Sequence, residues 1–304
     1  MPTGDIPVSP FHSEEPSAFI EAHASSIPSK YHERNEDQTV LDFSHNIFGV
    51  IDGMGGHESG AEASRLVAEI VTDTGDILPH KTSPRIAGAE LKKMLQSAHL
   101  TLNERSIERI TKDGFNPYHP SQQSRFMGAT AVLAKFYTTE ADKSFTTIAS
   151  AGDSRAYLFR DGILRCLTVD HDAYRHSHNL HSTKRFQMKA SNAISNDSLT
   201  NDELPFFRRR NEVSSSVGGG QPLLIDLTHQ ELQPGDRFAF FSDGVTDNLT
   251  TKEIQDTFRR TNPSDTAVAV TERAERRSLL HGTGNFRARI DDITAVTGQV
   301  LRLR

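Results

Sequence analysis

Short apolar runs that end at a carboxylate recur along this chain of 304 residues. Phe48–Ile51 runs directly into Asp52, and Phe238–Phe241 is followed by Ser242 and Asp243. Such runs, bounded by glycine and turn residues, are typical of buried strands. An ionised carboxylate at a buried strand end costs several kcal/mol unless it is paired or bound to a metal. The pattern therefore predicts strands whose acidic ends need a cationic partner.

The same pairing of acid and strand occurs twice more, in the reverse order. Asp291-Asp292 precedes the run that begins at Ile293, and Glu36-Asp37 precedes Thr39–Leu41. Oxygen ligands of this kind suit Mg²⁺ or Mn²⁺, and a glycine such as Gly53 lets the backbone approach a ligand closely. Asp-Gly is also a common turn dipeptide, so each pair taken singly is better explained as a plain turn, and the case for a metal site rests on several such strand ends together.

Composition narrows the class of protein. A length of 304 residues suits one large domain or two small ones. Hydrophobic residues make up 35% of the chain and charged residues 24%, which is enough for a sizeable core and is not typical of a disordered chain. The net charge of −6 disfavours a nucleic-acid binder, and the single Cys166 excludes an intrachain disulfide framework and a cysteine-rich metal site. No apolar run is long enough to cross a membrane, and the proline-rich start is no signal peptide. We expect a cytoplasmic protein with a loose tail over residues 1–20.

Periodicity predicts strands joined by short turns, which favours antiparallel pairing. The predicted strands include Ala129–Tyr137, Phe145–Ala151, Arg155–Arg160, Ile163–Thr168, Arg237–Phe241 and Ile293–Leu301. The predicted helices cover Ala61–Val71, Ser83 to about Ile110, Thr250 to about Arg259 and about Ser264 to Leu280. Residues 170–217 are polar and lack a clear period, so we expect an excursion from the core with short helices at most.

Several motifs, taken together and in order, resemble the PP2C (PPM) family of metal-dependent serine/threonine protein phosphatases, in the form found in bacteria. The matching segments are Asn35–Asp37, Asp52–His57, Gly128–Ala131, Ala151–Tyr157, Asp170–Asp172, Ser216–Gly219, Phe241–Asn248 and Asp291–Thr294. The resemblance implies an α+β fold, a four-layer αββα sandwich of two antiparallel β-sheets flanked by helices. It also implies one domain over residues 21–304, with residues 170–217 in the place of the family's flap.

The resemblance further implies two Mg²⁺ or Mn²⁺ ions at one edge of the sandwich. Asp52 would bridge both ions, and the backbone carbonyl of Gly53 would bind one of them. Asp243 and Asp291 would complete the other. A hydroxide shared by the two ions would then attack the phosphorus of a phosphoserine or phosphothreonine. The implied partners are phosphorylated proteins and a cognate serine/threonine kinase.

The remaining acids of the motifs have implied roles around this centre. Glu36 and Asp37 would act through metal-bound waters, and Asp292 would support the ligands. Asp153 would lie near a third, weaker metal position that some family members show. Such members carry an aspartate shortly before the Gly-x-Thr strand, whereas this chain has Gln122–Arg125 there. We therefore expect no well-occupied third site.

Two departures concern the substrate. The family's phosphate-binding arginine falls on His32, and Arg34 lies two residues further on. If this segment is a strand, residues 32, 34 and 36 share a face, and either side chain reaches phosphate. We favour Arg34, because guanidinium is the better bidentate phosphate donor. Met54 replaces a histidine that eukaryotic members often carry, so the leaving group takes its proton from water.

Other functions stay open at this level. The chain could be a phosphatase-like scaffold without turnover, or a phosphomonoesterase for small molecules. His176, His178 and His181 could suggest zinc, but their spacing favours a solvated loop. Basic residues of the excursion could attract acidic or phosphorylated partner segments, although a merely soluble loop explains them as well.

Overall fold

The computed structural model describes residues 20–30, 34–55, 58–73 and 81–301. The strands are β1 (Ile20–Ile27), β2 (Asp37–Asp42), β3 (Ile47–Met54), β4 (Gly128–Thr138), β5 (Ser144–Ala151), β6 (Arg155–Arg160), β7 (Ile163–Cys166), β8 (Val217–Gly218), β9 (Asp226–Glu231), β10 (Arg237–Phe241) and β11 (Ile293–Val300). The helices are α1 (Glu58–Thr72), α2 (Pro84–Lys112), α3 (Ala173–Ser177), α4 (Leu180–Ala190), α5 (Leu204–Arg208), α6 (Asp243–Thr246), α7 (Thr251–Arg260) and α8 (Pro263–Ser278).

The strands form two sheets. One has the order β1-β11-β10-β6-β7, and the other has the order β2-β3-β4-β5-β9 with β8 added beside β4. All of these ladders are antiparallel. The predicted two-sheet α+β sandwich is confirmed.

The alternation of side chains along each strand builds the layers. On β4, Val132 packs between the two sheets while Leu133 packs under α1 and α2. On β10, Phe240 packs between the sheets while Phe241 joins the core under α7 and α8. Because both sheets are apolar on both faces, each needs a helical layer outside, which gives four layers.

Local sequence features set several boundaries as predicted. Ser83 caps α2 by accepting a hydrogen bond from the Ile86 amide at 3.3 Å. At α7, Thr250 and Glu253 form a reciprocal capping box. Asp161 and Gly162 both have positive φ, 51° and 75°, and close the β6–β7 hairpin.

The structure corrects the expected pairing of the middle strands. β5 and β6 are joined by only Gly152–Ser154, yet they lie in different sheets. A short connection limits the distance between two strands without making them partners, and Gly152, with φ of 106°, turns the chain from one sheet to the other. The excursion over residues 170–217 holds α3, α4 and α5 around a small apolar core that includes Phe186 and Phe207.

Candidate metal centre

Antiparallel pairing brings acidic strand ends together at one end of the sandwich. In one sheet, Asp37 at the start of β2 lies directly opposite Asp52 near the end of β3. In the other, β10 ends just before Asp243, where β11 begins just after Asp291. The crossover from β5 to β6 adds Asp153, which is buried. Five carboxylates from distant parts of the chain therefore occupy one region.

Asp52 is the centre of this carboxylate cluster, which consists of Asp37, Asp52, Asp153, Asp243 and Asp291. Burial raises the pKa of Asp52 well above its usual range, and the charges of the other four carboxylates raise it further. Asp52, which the family resemblance implies to be the bridging ligand, is thus close to all four of the other acids.

The other members of the cluster are also hard to ionise. Burial, followed by carboxylate neighbours, raises the pKa of Asp291 to about 8 and that of Asp37 to about 7. The pKa values of Asp153 and Asp243 are raised well above their usual range for the same reasons. At neutral pH, such a cluster either holds extra protons or binds cations.

The donor chemistry fits a hard divalent cation. Within the described residues, the Oδ2 atom of Asp37 and the Oδ1 atom of Asp243 are buried without a hydrogen-bond partner. Yet no three His, Cys, Asp or Glu residues in the described part of the chain stand as a group able to hold a metal ion.

The two Asp-Gly pairs at the cluster are not turns. Asp52 and Gly53 lie inside β3, where a Cβ on Gly53 would overlap the carbonyl of Gly60. Asp243 and Gly244 begin α6, where a Cβ on Gly244 would overlap the carbonyl of Asp292. Glycine therefore permits close backbone packing at both acids.

Asp292 holds the entry to β2. Its carboxylate accepts hydrogen bonds from the Ser29 amide at 2.6 Å and from the Glu36 amide at 2.8 Å. These two bonds join the end of β1 to the start of β2 across the loop between them. Glu36 is buried beside α1, where a Cβ on Gly60 would overlap its carboxylate.

The two candidate phosphate ligands are less well defined. His32 lies outside the described residues. Arg34 is exposed and precedes β2, which begins only at Asp37. Residues 34 and 36 both precede the strand, so the condition under which they would share a strand face is not met. Met54 ends β3, and His57 lies outside the described residues.

Sequence reasoning missed a buried ion-pair network beside Asp243. Asp247 lies one helical turn later, and its Oδ1 atom is 2.8 Å from the Arg210 Nε atom. The Oδ2 atom of Asp247 is 3.3 Å from the Arg289 Nε atom. The i,i+4 spacing of Asp243 and Asp247 was the available signal. Nothing local indicated the two arginines, because Arg210 lies 37 residues before Asp247 and Arg289 lies 42 residues after it.

The histidines of the excursion show no sign of a zinc site among the described residues. His176 and His181 are exposed, and the ring of His178 stacks on Tyr174 with centroids 3.9 Å apart. His176 lies in α3, His178 ends that helix and His181 lies in α4, so the three side chains are exposed as expected but do not stand in a loop.

Comparison with solved structures defines the class of protein to which this fold belongs. The catalytic domain of the serine/threonine protein phosphatase PstP, solved in complex with two manganese ions, superposes with a TM-score of 0.65. The two are 22% identical, and the match covers 93% of this chain and 99% of that one. The fold is thus that of a PPM phosphatase domain.

A family model described as Protein phosphatase 2C matches residues 23–177, and the chain belongs to that family. The serine/threonine phosphatase Stp of Listeria monocytogenes is 25% identical over 227 residues, which are 74% of this chain and 77% of Stp. PstP of Mycobacterium tuberculosis is 24% identical over 267 residues, which are 88% of this chain but only 42% of PstP. Within the described residues, no helix is long and apolar enough to span a membrane.

Proposed function

We propose that this chain is a metal-dependent phosphatase that hydrolyses phosphoserine and phosphothreonine in proteins. The observation that carries the proposal is the carboxylate cluster, in which four acids from separate segments lie close enough to Asp52 for their charges to add to burial in raising its pKa. Membership of the Protein phosphatase 2C family and the manganese ions in the PstP structure support the same conclusion.

The proposed centre takes two Mg²⁺ or Mn²⁺ ions. Bound there, the ions supply a water of lowered pKa near neutral pH and neutralise the phosphoryl oxygens. Asp52 and the backbone carbonyl of Gly53 would hold the ions from the β3 side. Asp243 and Asp291 complete the set from the opposite sheet. Because these ligands come from both sheets, the sandwich itself fixes their spacing.

Other residues position this set and the substrate. Asp292 keeps the start of β2 in place through the Glu36 amide, so that Glu36 and Asp37 can hold waters of the centre. Asp153 would be the ligand nearest a third, weaker ion, a position that we expect not to be well occupied. Arg34, exposed in the loop that leads into β2, is our candidate to hold the substrate phosphate, with His32 as the alternative.

The proposed partners are phosphorylated serine/threonine proteins and the kinase that modifies them. The relatives named as serine/threonine phosphatases support this substrate class. A cytoplasmic location stays a prediction from the sequence.

Hydrolysis of p-nitrophenyl phosphate with Mn²⁺, and its loss with EDTA, tests the proposal directly. We expect Asp243→Asn to lower kcat/KM by more than about 100-fold, since loss of even an outer partner of a metal ligand typically costs 10- to 100-fold. The change removes a charge without changing the side-chain shape, so the circular dichroism spectrum should stay the same.

Asp265→Asn is the matched control, because Asp265 is exposed on α8, away from the cluster. Equal activity in the Asp243 variant and the wild type would refute the metal assignment. Complete inactivity of the wild type with every metal would favour the scaffold, and faster turnover of metabolite phosphates than of phosphopeptides would favour the small-molecule enzyme.

A further inference from the structure

A basic cleft of about 470 Å³ opens beside the carboxylate cluster. The excursion forms one wall of the cleft and the segment before β11 forms the other. The side chains that matter are those of Phe207, Arg208, Arg210, His281, Phe286 and Arg289. Ile290 also lines the cleft and immediately precedes Asp291, so the cleft reaches the edge of the candidate metal centre.

The charge of this cleft is opposite to that of the chain. Its described lining includes three arginines and neither Asp nor Glu, whereas the whole chain carries a net charge of −6. Arg210 and Arg289 share the single carboxylate of Asp247. The side chain of Arg208 is exposed, and it makes no hydrogen bond or ion pair with the described residues. Positive charge therefore remains in excess of what the protein itself neutralises.

The walls of the cleft are held in place before any ligand binds. The rings of Phe207 and Phe286 stack with centroids 4.7 Å apart, and the guanidinium of Arg210 lies 4.3 Å over the Phe207 ring. Arg210 also donates to the Phe207 carbonyl at 3.0 Å and to the Arg287 carbonyl at 3.2 Å. A site with fixed side chains loses less conformational entropy on binding.

We propose that this cleft binds a second anionic group of the protein substrate, close to the phosphoresidue that is hydrolysed. The inference rests on the proposed function and defines its substrate class as segments that carry an additional phosphate or carboxylate. Guanidinium groups bind both kinds of anion, and they match phosphate well because they can donate two parallel hydrogen bonds.

The position of the cleft explains why a second anionic group would help the substrate to bind. The carboxylate cluster repels an anionic substrate until cations bind, so attraction has to come from a neighbouring surface. A cleft at the edge of the centre can hold one anion while the target phosphate enters the centre. Segments with a single isolated phosphate would lack this contact and would bind less tightly.

Peptide binding tests the proposal without turnover. The peptides carry one phosphothreonine with neutral neighbours, or the same phosphothreonine plus a phosphoserine or an aspartate moved one residue at a time on either side. Affinity is measured by fluorescence anisotropy with the full chain in Mn²⁺, using versions of these peptides in which a non-hydrolysable phosphonate replaces the phosphothreonine ester. We expect a second anion at its best position to tighten binding about tenfold, and Arg208→Gln to reduce this preference to about twofold.

Arg209→Gln is the matched control. Arg209 is the next residue and equally exposed, but it pairs with Glu212 at 2.5 Å and does not line the cleft. The preference should persist in this variant. A preference in the phosphoserine series alone identifies a phosphate site, and one in both series identifies a general anion site. Equal affinity for all peptides, or equal losses in both variants, would overturn the proposal.

The same peptides separate this inference from the proposed function. Manganese-dependent hydrolysis without any preference for a second anion would refute the proposed role of the cleft and would support the proposed phosphatase function. A preference in binding without hydrolysis of any peptide would refute the phosphatase and leave an anion-binding cleft on a scaffold.

Discussion

Gly244 shows how one missing side chain shapes the acidic end of the sandwich. It follows Asp243 at the start of α6 and lies against the main chain of Asp292, which leads into β11. Because the obstructing atom is a backbone carbonyl in a buried segment, it cannot rotate away as a side chain would. The approach of Asp243 to Asp291 therefore depends on glycine at this position.

Gly244→Ala should destabilise the protein by about 2–3 kcal/mol, the usual cost of forcing extra volume into a packed site. It should also weaken Mn²⁺ binding, because Asp243 and Asp291 are pushed apart. Urea unfolding in EDTA measures the first effect, and titration calorimetry with Mn²⁺ measures the second.

Gly88→Ala provides the comparison, since a Cβ there would approach only side-chain atoms, of which the nearest is the Cδ1 atom of Leu227 at 2.8 Å, the end of a side chain that can move. Alanine also favours the helix α2 by up to about 1 kcal/mol, so this change should be close to neutral. If the two variants lose the same free energy of unfolding, close packing at Gly244 does not determine the positions of Asp243 and Asp291.

At the scale of elements, the excursion is held to the sandwich by a buried arginine. Arg287 donates through Nη1 to the carbonyls of Ala190 and Ala193 at the end of α4. Through Nη2 it donates to the carbonyls of Thr246 and Leu249 beside α6. Burial lowers its pKa to about 10, so it stays charged at neutral pH. One guanidinium thus joins the excursion to the helix that begins with Asp243.

Arg287→Met should cost about 3 kcal/mol or more, because four buried carbonyls lose their donor. We expect amide hydrogen exchange to accelerate most over residues 180–208, where the excursion loses its attachment. Arg276→Met on the exposed face of α8 should change stability by no more than about 0.5 kcal/mol. Exchange that accelerates evenly over the whole chain would argue against a local anchor.

At the scale of the whole molecule, the two sheets meet at an end that is unfavourable without cations. Asp37 belongs to one sheet and Asp291 to the other, and the pKa values of both are raised in the folded state, to about 7 and about 8. A carboxyl group of this kind favours folding while it stays protonated, and its contribution is lost as the pH rises through the folded pKa. Metal-free protein should therefore be less stable at pH 8 than at pH 6.

Mn²⁺ should raise the melting temperature, and the rise should be larger at pH 8, where protons no longer compete for the carboxylates. At 100 times the dissociation constant, binding adds about 2.7 kcal/mol, which corresponds to roughly 5 °C for a domain of this size. Thermal melts in EDTA and in Mn²⁺ at the two pH values measure both effects. A rise that is larger at pH 6, or no rise at all, would contradict a carboxylate metal centre.

The local structure of this protein could be predicted from neighbouring residues. Ser83, the Thr250–Glu253 capping box and the Asp161-Gly162 hairpin act through bonds within a few residues, so the sequence shows them directly. Continuous apolar runs likewise located β4 and β10, and the order of motifs led to the family and to the acids Asp52, Asp243 and Asp291.

Only the tertiary structure decided which strands share a sheet and what surrounds the acids. The three-residue link between β5 and β6 looks like a hairpin, but the sheets divide there, since pairing depends on partners such as β9 and β10 far along the chain. β9 was missed because it is a polar, half-exposed strand at a sheet edge. The raised pKa values of the clustered carboxylates and the cleft beside Arg210 arise from burial and from charges that folding brings together. No local sequence pattern determines the distances between these residues.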